Sequence, residues 1–248
     1  MEALIQVQGL KKVYKGNPMP VLKGIDLTIN KGDFFGLLGP NAAGKTTLIS
    51  IMCGLLRITE GKVFIKGENV ESHLTILRQA IGLIPQEIAL YPTLTIRENL
   101  RFFGQMYGLR RADLETRITE CLDLLLLHPH ADKRVSNCSG GIRRRANLMA
   151  GLIHHPEIIF LDEPTLGVDA QSMNLIYEYL RDLNSKGTTI IYTTHYMREA
   201  ENLFSRVTII DDGLIVCDST PAGLLQSHPG CRDLGDVFLK LTGKELRD

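Results

Sequence analysis

Apolar and polar residues alternate, or nearly so, over residues 4–7 and 25–29, as in strands with one buried face. The turn-forming run Lys15-Gly16-Asn17-Pro18 lies between them. Phe34-Phe35-Gly36-Leu37-Leu38 is continuously apolar and short, which predicts a strand covered on both faces. A glycine-rich stretch follows, and residues 47–56 then read as a helix. Short apolar runs at 63–65 and 81–84 predict strands stopped by Gly and Pro. From Thr95 to about Leu127 the period becomes helical, with a start at Thr93 or Thr95 and an end imposed by Pro129. A second helix is predicted from Ser139 through Leu152, a buried strand over 158–161, a one-faced helix over 175–183, and strands over 189–193 and 207–210. Strands alternating with helices predict an α/β fold, a largely parallel sheet with helices on both faces. The mostly helical stretch, roughly 88–152, reads as a subdomain, and neither repeats nor low-complexity segments interrupt the pattern.

The glycine-rich stretch carries the first chemistry. Gly39-Pro40-Asn41-Ala42-Ala43-Gly44-Lys45-Thr46-Thr47 fits G-x-x-x-x-G-K-[ST], between a predicted strand and a predicted helix. Glycines let the backbone wrap a phosphate closely, and the N–H groups at a helix start point into that wrap. Lys45 is placed to reach β- and γ-phosphates and the Thr46 hydroxyl to ligate Mg²⁺. A turn that merely joins strand to helix is the bland alternative.

Composition narrows the classes. The 248 residues are 44% hydrophobic and 23% charged, ordinary for a globular chain of one or two domains. The net charge of +0 gives no field toward nucleic acid or anionic membrane. Five cysteines without Cys-x-x-Cys spacing argue against a disulfide framework or a zinc site. Met1-Glu2-Ala3 leads into a strand pattern and not a signal peptide, and no uncharged apolar run approaches the about 20 residues of a membrane helix. The expectation is a protein that is soluble or held at a membrane by another.

The second half supplies candidate catalytic groups. Asp162 and Glu163 end the apolar run 158–161, at the strand end where open α/β sheets bind ligands. Asp162 suits Mg²⁺, and Glu163 suits orienting or deprotonating an attacking water. An ordinary strand-to-turn ending would use the same residues, and the phosphate loop tips the balance away from it. His195 follows another predicted strand; by itself a satisfied polar residue is the simpler reading. Ser139-Gly140-Gly141 opens a helix, either as a plain cap or as a second anion site. Arg143-Arg144-Arg145 reads as a mostly solvated face, with one arginine left for packing or an interface.

The order of these pieces resembles the nucleotide-binding subunit of ATP-binding cassette (ABC) transporters over about residues 3–245. Gly39, Pro40, Asn41, Ala42, Ala43, Gly44, Lys45, Thr46 and Thr47 match the Walker A motif, and Gln86 the Q-loop glutamine. Ser139, Gly140 and Gly141 match the signature, Asp162 and Glu163 the Walker B pair, Gly167-Val168-Asp169 the D-loop, His195 the H-loop, and Tyr14 the aromatic that stacks on adenine. The resemblance implies an ABC ATPase fold: one domain, with a P-loop core and antiparallel β subdomain at 1–87 and 153–220, a helical subdomain at 88–152, and a short tail at 221–248. It implies ATP and Mg²⁺, with Glu163, His195 and Lys45 catalytic and Thr46, Gln86 and Asp162 near the metal. Two cassettes, homodimeric or paralogous, would pack head to tail, so that Ser139, Gly140, Gly141 and Asp169 serve the nucleotide of the other chain. A polytopic membrane permease would be driven from the cytoplasmic face. Residues 34–41, 139–145, 194–201 and 236–243 resemble the ABC-2-type exporters, the group of daunorubicin-resistance-like ATPases.

Ala42 stands where the family usually has Gly; if the position needs positive φ, Ala costs about 1–2 kcal/mol there, and nucleotide binding is expected to survive. Ala170 replaces a frequent D-loop Pro, Ile142 a common Gln, and Cys138 before the signature is unusual. A soluble ABC ATPase acting on nucleic acid or ribosomes is the alternative, but this chain has one cassette, no heptad run and no basic excess. Intact Glu163 and His195 argue against a non-hydrolysing regulatory cassette.

Overall fold

The computed structural model describes residues 2–243; Met1 and residues 244–248, the end of the expected tail, lie outside them. The described residues form two compact units, one from 2–78 with 189–243, the other from 79–188.

The first unit opens with β1 (Ala3–Lys12), β2 (Leu22–Asn30), β3 (Phe34–Leu38), α1 (Lys45–Met52), β4 (Glu60–Ile65) and β5 (Glu68–Asn69), then enters α2 (Val70–Ala80). Strands β2-β1-β4-β5 form an antiparallel sheet in that order, with Gln6 opposite Thr28 on one side and Phe64 on the other. The alternation buries Ile5, Val7, Ile25, Leu27 and Ile29. A register shift between Val7 and Leu10, around Gly9 at φ 54°, rephases β1 so that Leu10 is buried too.

The second unit contains β6 (Ile81–Ile84), α3 (Ile96–Met106), α4 (Arg111–Leu124), two 3₁₀ turns, α5 (Gly140–Leu152), β7 (Ile158–Asp162) and α6 (Ala170–Ser185). β6 and β7 run parallel, Ile84 opposite Leu161. Gly82 lets this pair meet α5, since a Cβ there would lie 2.7 Å from the Gly151 carbonyl oxygen.

The chain returns to the first unit with β8 (Thr189–Thr194), α7 (Met197–Leu203), β9 (Arg206–Asp211), β10 (Leu214–Ser219), α8 (Pro221–Ser227) and α9 (Leu234–Thr242). Here β10-β9-β3-β8 lie side by side, parallel except for the β9–β10 hairpin. Phe34, Tyr192 and Phe204 pack as tilted rings at 5.4–6.4 Å beneath β3. A side chain at Gly36 would enter the Phe204 ring.

Two expectations change. The single helical pattern from 95 to 127 is two helices: Tyr107 and Gly108, the latter at φ 87°, end α3, and α4 stops at Leu124 before Leu126 at φ 52°. The apolar period runs on because each helix buries one face, so periodicity alone does not reveal the break. Thr95 is the start, in a capping box with Glu98. The helix expected over 47–56 ends at Met52, and Gly54 at φ 67° turns the chain away, its Cα packed close against Leu74. None of the described helices is long and apolar enough to cross a membrane.

Candidate nucleotide site

In the first unit, β3 and β8 are parallel with Leu38 opposite Thr194. The phosphate loop and His195 therefore leave neighbouring strand ends together. Gly39 begins the loop where no side chain fits, since a Cβ would collide with the Ile210 carbonyl oxygen. Gly44 closes it at φ 108°, capping α1 with no side-chain hydrogen bond, and the first turn of α1 carries no acid. A glycine at the N-cap offers those N–H groups no capping side chain, which suits an anion. Ala42 sits at φ 64°, so the position does demand the left-handed region and the alanine is strained there. Lys45 is 7% exposed, its Nζ donating to the carbonyl oxygens of Gly39 at 2.7 Å and Pro40 at 3.1 Å. The ammonium thus lies against the loop's own backbone, while Asn41 and Thr46 are exposed and Thr47 half-buried. Tyr14 shares a 3.1 Å hydrogen bond with the Thr47 hydroxyl, and Lys12 Nζ stands 5.3 Å over its ring. His195 is half-buried, its ring 4.3 Å from that of Tyr196, whose N–H donates to Thr194 Oγ1.

In the second unit, the parallel register of β6 and β7 sets Gln86 beside Glu163, each two residues past a paired strand position. Gln86 Nε2 donates to Glu163 Oε2 at 3.2 Å. Asp162 and Glu163 are 4% and 8% exposed, so both acids end the strand in a largely dry setting. Glu163 has φ 46°, a left-handed conformation unusual for a side-chain-bearing residue, held by the turn that Leu166 N–H closes on its carbonyl oxygen at 3.3 Å.

The signature and D-loop residues also meet there. Ser139 caps α5 through Ile142 N–H, and Asp169 caps α6 by accepting from Ser172 N–H at 2.9 Å. That hydrogen bond holds the Asp169 carboxyl below the usual carboxylate range. A Cβ at Gly141 would collide with Asp169 and lie 2.6 Å from Ser172 Oγ, so the second signature glycine also lets α5 meet α6. Ser139 and Gly140 are exposed. Burial pushes the Cys138 thiol up.

The arginine run departs from its expected solvated face. Arg143 is exposed, but Arg144 is buried and donates to the Gln86 carbonyl oxygen at 2.7 Å. Arg145 is half-buried and donates to the Leu125 carbonyl oxygen at 2.7 Å. The signal was in the helical period: Gly141, Arg144, Leu148 and Leu152 share one buried face of α5.

Among the described residues no group of three or more His, Cys, Asp and Glu side chains forms a metal cluster. Thr46 and Asp162 are hard oxygen donors of the kind that bind Mg²⁺ together with substrate phosphates and waters, without a protein cage.

Residues 22–166 match a protein family described as ABC transporter. The chain is 42% identical to the linearmycin resistance ATP-binding protein LnrL of Bacillus subtilis, over 96% of this chain and 75% of that protein. It is 38% identical to a Nod factor export ATP-binding protein I of Cupriavidus metallidurans, over 96% of this chain and 78% of that one. Among solved structures, the ATP-binding subunit of an ABC transporter superposes with a TM-score of 0.87 at 25% identity, covering 96% of this chain and 99% of that chain. A dimeric ATP-binding cassette in a post-hydrolysis state with ADP and Pi reaches 0.81 at 28% identity, covering 88% and 98%. The chain belongs to the ATP-binding subunits of ABC transporters: it is an ATP-hydrolysing cassette of the exporter type, an α/β P-loop fold with an antiparallel β subdomain and a helical insert.

Proposed function

We propose that this subunit powers an ABC-2-type exporter by ATP-driven closure of two cassettes, each nucleotide lying between the phosphate loop of one chain and the signature of the other. Lys45 and the loop backbone from Gly39 to Thr47 hold the phosphates, and Tyr14 stacks on adenine. Ser139, Gly140, Gly141 and Asp169 meet the nucleotide of the opposite chain, where the start of α5 favours negative charge. Thr46, Asp162 and Gln86 attend Mg²⁺, which when bound neutralises charge on the phosphate oxygens. Glu163 takes the proton of the attacking water, or orients that water, and His195 faces the γ-phosphate.

The observation that carries this reading is the Gln86–Glu163 hydrogen bond at the matched ends of β6 and β7. It gives the Glu163 carboxylate a neighbour that can orient it, at a strand end, which is the geometry a water-activating group needs. The relatives named for linearmycin resistance and Nod factor export support export as the work done. The membrane partner is a polytopic permease, and the cassette is peripheral on the cytoplasmic face.

The test is Glu163→Gln. Hydrolysis should fall about 10²–10⁴-fold while ATP binding persists and the chain becomes an ATP-stabilised dimer by sedimentation. Undiminished hydrolysis would assign the base elsewhere. Gentle extraction from native membranes should recover a polytopic partner; a ribosomal or wholly soluble partner would overturn the transport reading.

A further inference from the structure

We propose that Arg144 is a positioning residue for ATP hydrolysis, holding the Gln86–Glu163 pair in register and making turnover depend on the seating of α5. The proposal rests on Glu163 being the water-activating carboxylate.

Arg144 lies one turn after Gly141 on α5 and is buried. Its Nη1 donates to the carbonyl oxygens of Gln86 at 2.7 Å and Pro85 at 3.5 Å, and its Nη2 to that of Leu166 at 3.5 Å. These acceptors belong to two different loops. Pro85 and Gln86 follow β6, and Leu166 closes the turn after β7 that holds Glu163 at φ 46°. A single guanidinium therefore fixes the backbone on both sides of the Gln86 Nε2–Glu163 Oε2 hydrogen bond. The chemistry needs arginine. Its charge is permanent, and its planar fork reaches several carbonyl oxygens in fixed directions, whereas a lysine ammonium is a single point on a flexible stem. α5 begins at the signature residues Ser139, Gly140 and Gly141, so a displacement of that helix start moves Arg144 as part of the same rigid element. The displacement then reaches both loops through the guanidinium. Neighbouring Arg145 supplies a control: it is half-buried and also donates to a backbone carbonyl oxygen, but that of Leu125.

The experiment compares full-length wild type, Arg144→Lys, Arg145→Lys and Glu163→Gln in steady-state ATP hydrolysis, nucleotide binding and thermal melting. Arg144→Lys should lower kcat about 10- to 100-fold, the loss expected of a catalytic group misplaced by about 1 Å. KM and nucleotide Kd should stay within about twofold, as for a defect confined to the chemical step. Arg145→Lys should lower Tm without that split. An Arg144→Lys kcat near wild type would overturn the proposal, as would a kcat loss matched by Arg145→Lys and tracking Tm. Should Arg144→Lys melt below the assay temperature, Arg144→Gln, which keeps an amide donor, is read the same way below its own Tm. Full activity in Glu163→Gln would instead refute the assignment of Glu163, and the role of Arg144 with it.

Discussion

The phosphate loop and the Gln86–Glu163 corner reach their geometry by opposite means. The loop is one continuous stretch, shaped by backbone: Gly39 excluded from bearing a side chain, Ala42 and Gly44 at positive φ, Lys45 folded onto carbonyl oxygens six and five residues before it. The corner is assembled from three distant segments, at 85–86, 144 and 163–166, and is held by side chains: an amide on a carboxylate, and a guanidinium on carbonyl oxygens. A backbone cradle recognises a ligand whatever its neighbours do, whereas a side-chain corner has its catalytic geometry only when its supports are seated. The difference predicts that lesions in the loop weaken nucleotide binding along with turnover, whereas lesions in the corner lower turnover alone.

Several substitutions would break or sharpen that comparison. After Glu163→Gln, the largest effect should come from Lys45→Met. Removing the one cationic donor inside the loop should cost about 10²–10³ in turnover, the scale for losing one preorganised donor, with ATP binding weakened as well. A variant losing kcat alone would move the loop into the same class as the corner. Next is Gly141→Ala, whose Cβ must displace Asp169 and Ser172. Overpacking together with a weakened Asp169 cap should cost about 1–3 kcal/mol in urea unfolding. An unchanged midpoint would mean that α5 and α6 separate without penalty. Ala42→Gly relieves a left-handed alanine and should stabilise the fold by about 1 kcal/mol, with nucleotide affinity changed by less than about tenfold. A hundredfold tightening would show that the alanine distorts the cradle itself.

The smallest effect concerns His154, in the second unit. Its ring stacks flat on Tyr107 at 3.5 Å, hydrogen-bonds the Ile81 carbonyl oxygen, and is pushed down by burial from 6.5 to about 4. The native state thus disfavours the proton that the unfolded chain accepts near pH 6.5. Stability from this group is complete above that pH and is lost as pH falls toward 4. Melting temperature should decline across that window, and His154→Phe, which keeps a ring on Tyr107, should flatten the decline. An unaltered slope would place the sensitivity in other groups.

Sequence legibility followed the same division. The phosphate loop was legible because nine consecutive residues carry it, between an apolar strand and a helix. Asp162, Glu163 and His195 were legible as acids and an imidazole closing apolar strands, since position along the chain is enough to reach a strand's carboxyl end. Arg144 was not singled out as the packed arginine because a triplet of arginines looks solvated until the helix has a direction. Its carbonyl partners lie 58 and 22 residues away, and no local pattern encodes them. The break between α3 and α4 escaped for a related reason: both helices bury a face, so the period continues through Gly108. Strand β10 and helices α7, α8 and α9 are short or only half-buried, and their signal is correspondingly weak.

What the sequence determined by itself is the chemistry available and its order along the chain: phosphate loop, glutamine, signature, acid pair, histidine. Those depend on residue type and short spacing, which the chain states directly. The tertiary structure alone decided that position 42 lies at positive φ, that Gln86 touches Glu163, that Gly141 is bare to admit Asp169 and Ser172, and that Arg144 is buried. The first is a backbone dihedral fixed when the loop closes between β3 and α1; the others are close approaches between segments far apart in sequence, set by strand register and helix packing, and such distances exist only once the chain has folded.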